Sequence, residues 1–167
     1  GIRIVGHSEL HSSLSEAIAA ATDNEVIEVH GSGPYLTSPI EVVGKRLTLR
    51  AAPGSRPQIL SEKPLVSSGK SLLATDSDLV LQGLEIRWSI ENNSVLSEAD
   101  MLSRSVIRAT QGKLIVDRCQ IVSERWNACI GASATDVAVK NSHLVAKTGG
   151  GVYWRADSAG ELIVENC

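Results

Sequence analysis

The chain has 167 residues, 43% of them hydrophobic and 21% charged, which fits one soluble domain with a sizeable core. A formal net charge of -3 with scattered Lys and Arg leaves no basic stripe for a nucleic-acid backbone, and no apolar run reaches the length of a membrane span. Phe is absent and aromatics make up only 3%, so the core must be built from Val, Ile, Leu and Ala.

Ile2 and Ile4 alternate in a short first strand, IRIV. Ser13-Leu14-Ser15-Glu16 then reads as a capping box, in which the Ser13 hydroxyl and the Glu16 carboxylate satisfy backbone donors at a helix start. Leu14, Ala17, Ile18 and Ala21 follow at helical spacing up to Thr22, so this helix is expected to cover the first edge of the sheet structure. Asp23-Asn24 ends it, and Val26, Ile27 and Val29 form the next strand. Gly31-Ser32-Gly33-Pro34 makes a turn into Tyr35. It precedes a strand and lacks a following Lys-Ser/Thr, so it is not read as a phosphate cradle. Ile40 to Arg50 supplies another pair of strands, Pro53, Gly54 and Pro57 punctuate a loop, and Ile59 opens the next strand.

From Leu72 to Ile86 runs a pattern, LLATDSDLVLQGLEI, that returns downstream. Leu72, Ala74, Leu79, Leu81, Leu84 and Ile86 correspond to Ile107, Ala109, Leu114, Val116, Cys119 and Ile121, and again to Ile130, Ala132, Val137, Val139, Ser142 and Leu144. A fourth copy matches Trp154, Ala156, Leu162, Val164 and Cys167 with one extra residue, and Ile40, Val42, Leu47 and Leu49 repeat the first half. Apolar residues alternate at period two, which reads as strands with one side in a core. Each copy carries a two-residue step, Gln82-Gly83, Asp117-Arg118, Lys140-Asn141 or Glu165-Asn166, whose second member is expected in the left-handed region. Copies starting at Ile40, Leu72, Ile107, Ile130 and Trp154 are separated by the few tens of residues of a solenoid. The expected fold is an all-β solenoid, a right-handed single-stranded parallel β-helix with an N-terminal capping helix, forming one domain over residues 1–167. Because Cys167 follows directly on the last bend, further coils are expected beyond it, making the chain a fragment of a longer protein.

The stretch Ser13 to Leu60, followed by the coils, resembles the right-handed β-helix proteins of the pectin-lyase-like superfamily. The order helix, strand, turn with Tyr, strand and then Lys45-Arg46-Leu47-Thr48-Leu49 carries the likeness. More narrowly, the chain resembles the β-helix regions attached to bacterial multidomain serine/threonine protein kinases. The resemblance implies the fold across nearly the whole chain, whereas the superfamily holds enzymes, binding modules and scaffolds alike.

Polysaccharide lyases of that superfamily work on the outer face of one parallel sheet, with clustered carboxylates for calcium and an Arg or Lys as base. The outward column beside the first inward residue reads Leu73, Arg108, Gly131 and Arg155, so Arg108 and Arg155 are expected to flank Gly131 as a cationic patch. No column stacks two acids. Asp78, Lys113, Asp136 and Glu161 read instead as a mixed-charge ladder pairing across coils. The longest connection, Arg87 to Val106, is a lateral insertion, and Trp88 and Trp126 are expected on the flanks as sugar-stacking side chains. Trp154 is expected in the core. The paired-acid motifs of the glycoside hydrolases, the Gln-Asp set of the pectin esterases and the kinase motifs are missing from the sequence, and the four histidines have no metal-ligand spacing. Cys119 and Cys167 share a template position two coils apart, roughly 10 Å and too far for a disulfide, and Cys129 is expected to face outward.

The sequence thus supports a non-catalytic module recognising a polysaccharide or a protein through one lateral face, with Arg108, Arg155, Trp88 and Trp126 as ligand-binding candidates. It requires no cofactor and no metal, and assigns no compartment. The alternative is part of a polysaccharide lyase or glycoside hydrolase whose catalytic residues lie mostly on other coils, and a passive scaffold is a third reading.

Overall fold

The computed structural model describes all residues except 63–70, 89–103, 125–127, 134, 148 and 156–159. It opens with β1 (Ile2–Ile4) and α1 (Leu14–Ala20). The strands then run in threes: β2 (Glu25–Val29), β3 (Tyr35–Thr37) and β4 (Ile40–Val42); β5 (Leu47–Ala51), β6 (Gln58–Ser61) and β7 (Leu73–Thr75). Next come β8 (Leu79–Gln82), β9 (Glu85–Trp88) and β10 (Ile107–Ala109), followed by β11 (Lys113–Asp117), β12 (Gln120–Ser123) and β13 (Ile130–Ser133). The last are β14 (Asp136–Lys140), β15 (His143–Ala146), β16 (Val152–Arg155) and β17 (Leu162–Glu165).

Three sheets collect these strands. Sheet A has the order β1-β2-β5-β8-β11-β14-β17, sheet B β3-β6-β9-β12-β15, and sheet C β4-β7-β10-β13-β16. From β2 onward the chain therefore visits A, B and C in strict rotation, and each strand pairs in parallel with its counterparts in the preceding and following circuits. Among the described strands only β1 is antiparallel, laid against β2 with Ile2 opposite Val29 and Ile4 opposite Ile27. It closes the first edge of sheet A, which would otherwise present unpaired backbone groups.

Period-two alternation sends one column per strand inward. In sheet A the column Ile27, Leu49, Leu81, Val116 and Val139 is in register and no member is more than 1% exposed. Burial of each such side chain contributes about 1.5–3 kcal/mol, and the stack supplies the aliphatic core that a chain without Phe requires. The connections differ by corner. A-to-B steps are two residues after β8, β11 and β14, whereas the two longest connections, 62–72 and 89–106, both run from sheet B to sheet C.

At the two-residue steps Gly83, Arg118, Asn141 and Asn166 have φ of 68, 53, 50 and 53°, so the left-handed bends expected from the sequence are present. Ser13 caps α1 by accepting from the Glu16 N–H at 3.1 Å, and the Glu16 carboxylate in turn accepts from the Ser12 N–H at 2.8 Å. Leu14, Ala17 and Ile18 are buried, and the Lys45 ammonium donates to the carbonyls of Ile18 and Ala21 at the far end of the helix.

Register corrects the sequence alignment at two places. Ile40 and Ile107 pair with Leu73, not Leu72, and Ile130 pairs with Val152, not Trp154. The neighbouring positions are similarly apolar in both cases, and Leu72 is itself buried at the corner, so periodicity alone cannot choose between them. Cys129 is buried rather than outward-facing. It sits at the B-to-C corner in the run Ala128, Cys129, Ile130, all buried, with its thiol directed at the Ile121 carbonyl. Trp154 does pack against the core, and its indole N–H donates to the Thr135 carbonyl at 3.1 Å.

Candidate functional site

The residues singled out from the sequence do not come together. Trp88 is 2% exposed, an inward residue of β9 and the largest fully buried side chain, so it is a core residue and not a stacking platform. Trp126 lies outside the described residues, as do positions 89–103 of the lateral insertion. Arg108 does face outward from sheet C, but the register sets Gly131 beside Tyr153, and Arg155 lies opposite Ser133. The outward column is therefore Glu41, Ala74, Arg108, Gly131 and Tyr153, and the two arginines do not flank Gly131. Arg108 lines a shallow depression of about 200 Å³ with Glu41 and Asp76, two carboxylates that already oppose an incoming anion.

The ladder of Asp78, Lys113, Asp136 and Glu161 works differently from the expected charge pairing. Asp78 accepts from the backbone N–H of Lys113 at 2.8 Å, and Asp136 from that of Glu161 at 2.9 Å, each carboxylate reaching to the next circuit. Asp23 does the same for Arg46, while the Arg46 guanidinium pairs with it at 2.5 Å and holds its carboxyl down to about 2. Gly112 lets the Asp78 contact form, since a Cβ there would lie 2.7 Å from the Asp78 nitrogen. Charges pair instead along the outer column of sheet A. Glu28, 5% exposed, is clamped by Arg3 at 3.4 Å and Arg50 at 2.8 Å, and the Arg50 hydrogen bond chiefly keeps it ionised. Burial pushes the Cys119 and Cys129 thiols up to about 11, which leaves them unreactive.

A groove of about 650 Å³ follows the A-to-B bends across successive circuits. One wall is the first outward column of sheet B, Gln58, Glu85, Gln120 and His143, which stand in parallel register about 4.8 Å apart. The other is the line of left-handed residues Gly83, Arg118, Asn141 and Asn166, with Arg56 at the near end. Side chains fix much of it. Gln58 Nε2 donates to Glu85 Oε2 at 3.1 Å, and Arg87 reaches the other Glu85 oxygen at 3.3 Å. Asn141 Nδ2 donates to Asp117 at 3.2 Å, and Asn166 Nδ2 donates to Asn141 Oδ1 at 3.2 Å. Among the described residues, the Gln120 amide and the His143 ring have no partner and face the groove. The row was legible in principle: Glu85, Gln120 and His143 each lie two residues past a left-handed position, and all are polar. The columns aligned from the sequence lie beside the first strand and at the turn of each copy, whereas this row lies beside the last strand.

The groove presents amide, carboxylate, guanidinium and imidazole groups. Among the described residues, the carboxylates whose titration is perturbed, Glu16, Asp23, Glu25, Glu28 and Asp76, are all lowered, the direction of ionised, hydrogen-bonded acids, and all lie outside the groove. Among the described residues no group of three or more His, Cys, Asp or Glu is placed to hold a metal ion, and no helix is long and apolar enough to cross a membrane. No family model, curated protein or solved structure matches the chain.

Proposed function

We propose that the chain is a right-handed parallel β-helix that binds an extended polysaccharide, without turning it over, along the groove beside the A-to-B bends. The observation that carries this reading is the row Gln58, Glu85, Gln120 and His143, one polar side chain per circuit lining a continuous groove. A repeating row of amide, carboxylate and imidazole suits a ligand that itself repeats donors and acceptors, and successive strands are spaced comparably to successive sugar rings in an extended glycan. Support for the helical fold comes from the strict rotation of strands through three parallel sheets, and the hand follows the general preference of parallel crossovers. The resemblance to kinase-attached β-helices fits the same role, that of an accessory region in a larger bacterial protein.

Retardation of the protein in gels containing soluble neutral and acidic polysaccharides tests the reading. At least one polymer should slow migration, and Gln120→Ala with His143→Ala should weaken that binding at least tenfold at an unchanged melting temperature, since neither side chain is engaged by a described residue. Polymer length should stay constant during incubation. Shortened chains would favour the lyase or hydrolase reading, and no retardation by any polysaccharide would remove the proposed function.

A further inference from the structure

We infer that Arg118 selects polymers that carry anionic groups, carboxylate or sulfate, and so sets the ligand class of the groove. This rests on the proposed binding function and adds a specificity-determining residue to it. The starting point is a backbone outlier. Among four bends of one kind, three hold Gly83, Asn141 and Asn166, residue types that accept the left-handed region readily, while the fourth holds an arginine at φ 53°. Arginine there carries a strain that glycine or asparagine would avoid, and the fold recovers little from it. The side chain is 66% exposed, and its ion pair with Asp117 is a surface pair between sequence neighbours. A strained position that does not serve packing is a place to look for function.

Local geometry says what that function is. Asp117 accepts from Arg118 Nε at 2.9 Å, and Asp117 is held in turn by Asn141 at 3.2 Å. One edge of the guanidinium is thus braced. Among the described residues the terminal Nη1 and Nη2 have no partner, and the residue lines the groove. Two parallel N–H donors on a braced plane match the paired oxygens of a carboxylate or sulfate. The carboxylate beside them in the groove, Glu85, is already occupied by Gln58 and Arg87 and so opposes an anion weakly. Arg56 gives a second cation two circuits away, roughly 10 Å along the groove, so charges spaced along a polymer can meet both.

Three probes separate the sources of the anion: hyaluronan carries carboxylate alone, dextran sulfate carries sulfate alone, and dextran is neutral. The full chain should bind one or both anionic polymers more tightly than dextran, hyaluronan marking carboxylate and dextran sulfate marking sulfate as the group held. Arg118→Asn should lower the ratio of anionic to dextran affinity about tenfold, the scale of a lost charge-assisted pair. The same substitution should leave the melting temperature equal or higher, because asparagine suits the bend. Arg118→Lys, which keeps the charge and loses the fork, should fall between the two. An unchanged ratio in Arg118→Asn, or dextran binding as tightly as both anionic polymers, would overturn this inference while leaving the groove reading intact. Absence of binding to all three probes, and to the wider panel, would instead remove the groove reading itself.

Discussion

Single residues carry more of this fold than the repeat suggests. Gly112 and Gly54 both have left-handed backbones, φ 77 and 75°, but a Cβ at Gly112 would meet the Asp78 backbone at 2.7 Å, whereas nothing lies within 4 Å of one at Gly54. Gly54→Ala should therefore cost only the backbone term, about 1 kcal/mol, and Gly112→Ala about 2–3 kcal/mol because the Asp78 cap must also move. Urea denaturation of both variants measures the gap, and equal losses would show that the cap does not constrain Gly112. Trp88 makes a second case. Buried at 2% among aliphatic side chains, it should cost about 3–5 kcal/mol when replaced by alanine, and a loss below about 1 kcal/mol would put the indole outside the core. The alternation Leu84, Ile86, Trp88 marks this tryptophan as inward, but its place at the end of β9 beside the insertion makes it read from the sequence as part of the flank.

At the scale of elements, circuits are joined by carboxylates as well as by strand pairing. Asp23, Glu28 and Asp76 have folded-state values below the ordinary 3.8 for Asp and 4.5 for Glu, so their contribution is complete above that range and lost as pH falls through the lowered values, down to about 2 for Asp23. Thermal melts from pH 6 to pH 2 should show stability falling on acidification, with a shallower fall in Asp23→Asn. Stability that rises below pH 4 would contradict the assignment of these groups. How the elements were legible follows from the same chemistry. Strand positions, the capped helix and the left-handed bends could be read because alternation, Ser13 with Glu16, and Gly or Asn after a polar residue each have one local meaning. Register could not be read at Leu72-Leu73, where both residues are buried at a corner, nor at Val152 and Trp154, where both pack on the core. Aligning Trp154 with Ile130 places Arg155 beside Gly131, whereas the register sets it opposite Ser133 and so separates it from Arg108.

Considered whole, the described strands pair with their counterparts before and after them in three parallel sheets, so burial depends on position along each sheet. Leu114 in the middle is fully buried, while Leu162, which occupies the same inward column, is 39% exposed. Leu114→Ala should cost about 2–5 kcal/mol and Leu162→Ala distinctly less, measured by denaturant titration of the same chain. Equal losses would mean that burial along this column does not set the cost. The groove is a property of this scale as well: no single copy of the repeat contains it, and it exists only because successive bends fall in register. Its most direct test is chemical-shift mapping with whichever soluble polysaccharide binds most tightly. Perturbed resonances should cluster at Gln58, Glu85, Gln120 and His143 and at the bends beside them. Perturbations confined to the outer face of sheet C around Arg108 and Gly131, or none at saturating polymer, would contradict the assignment of the groove as the binding site.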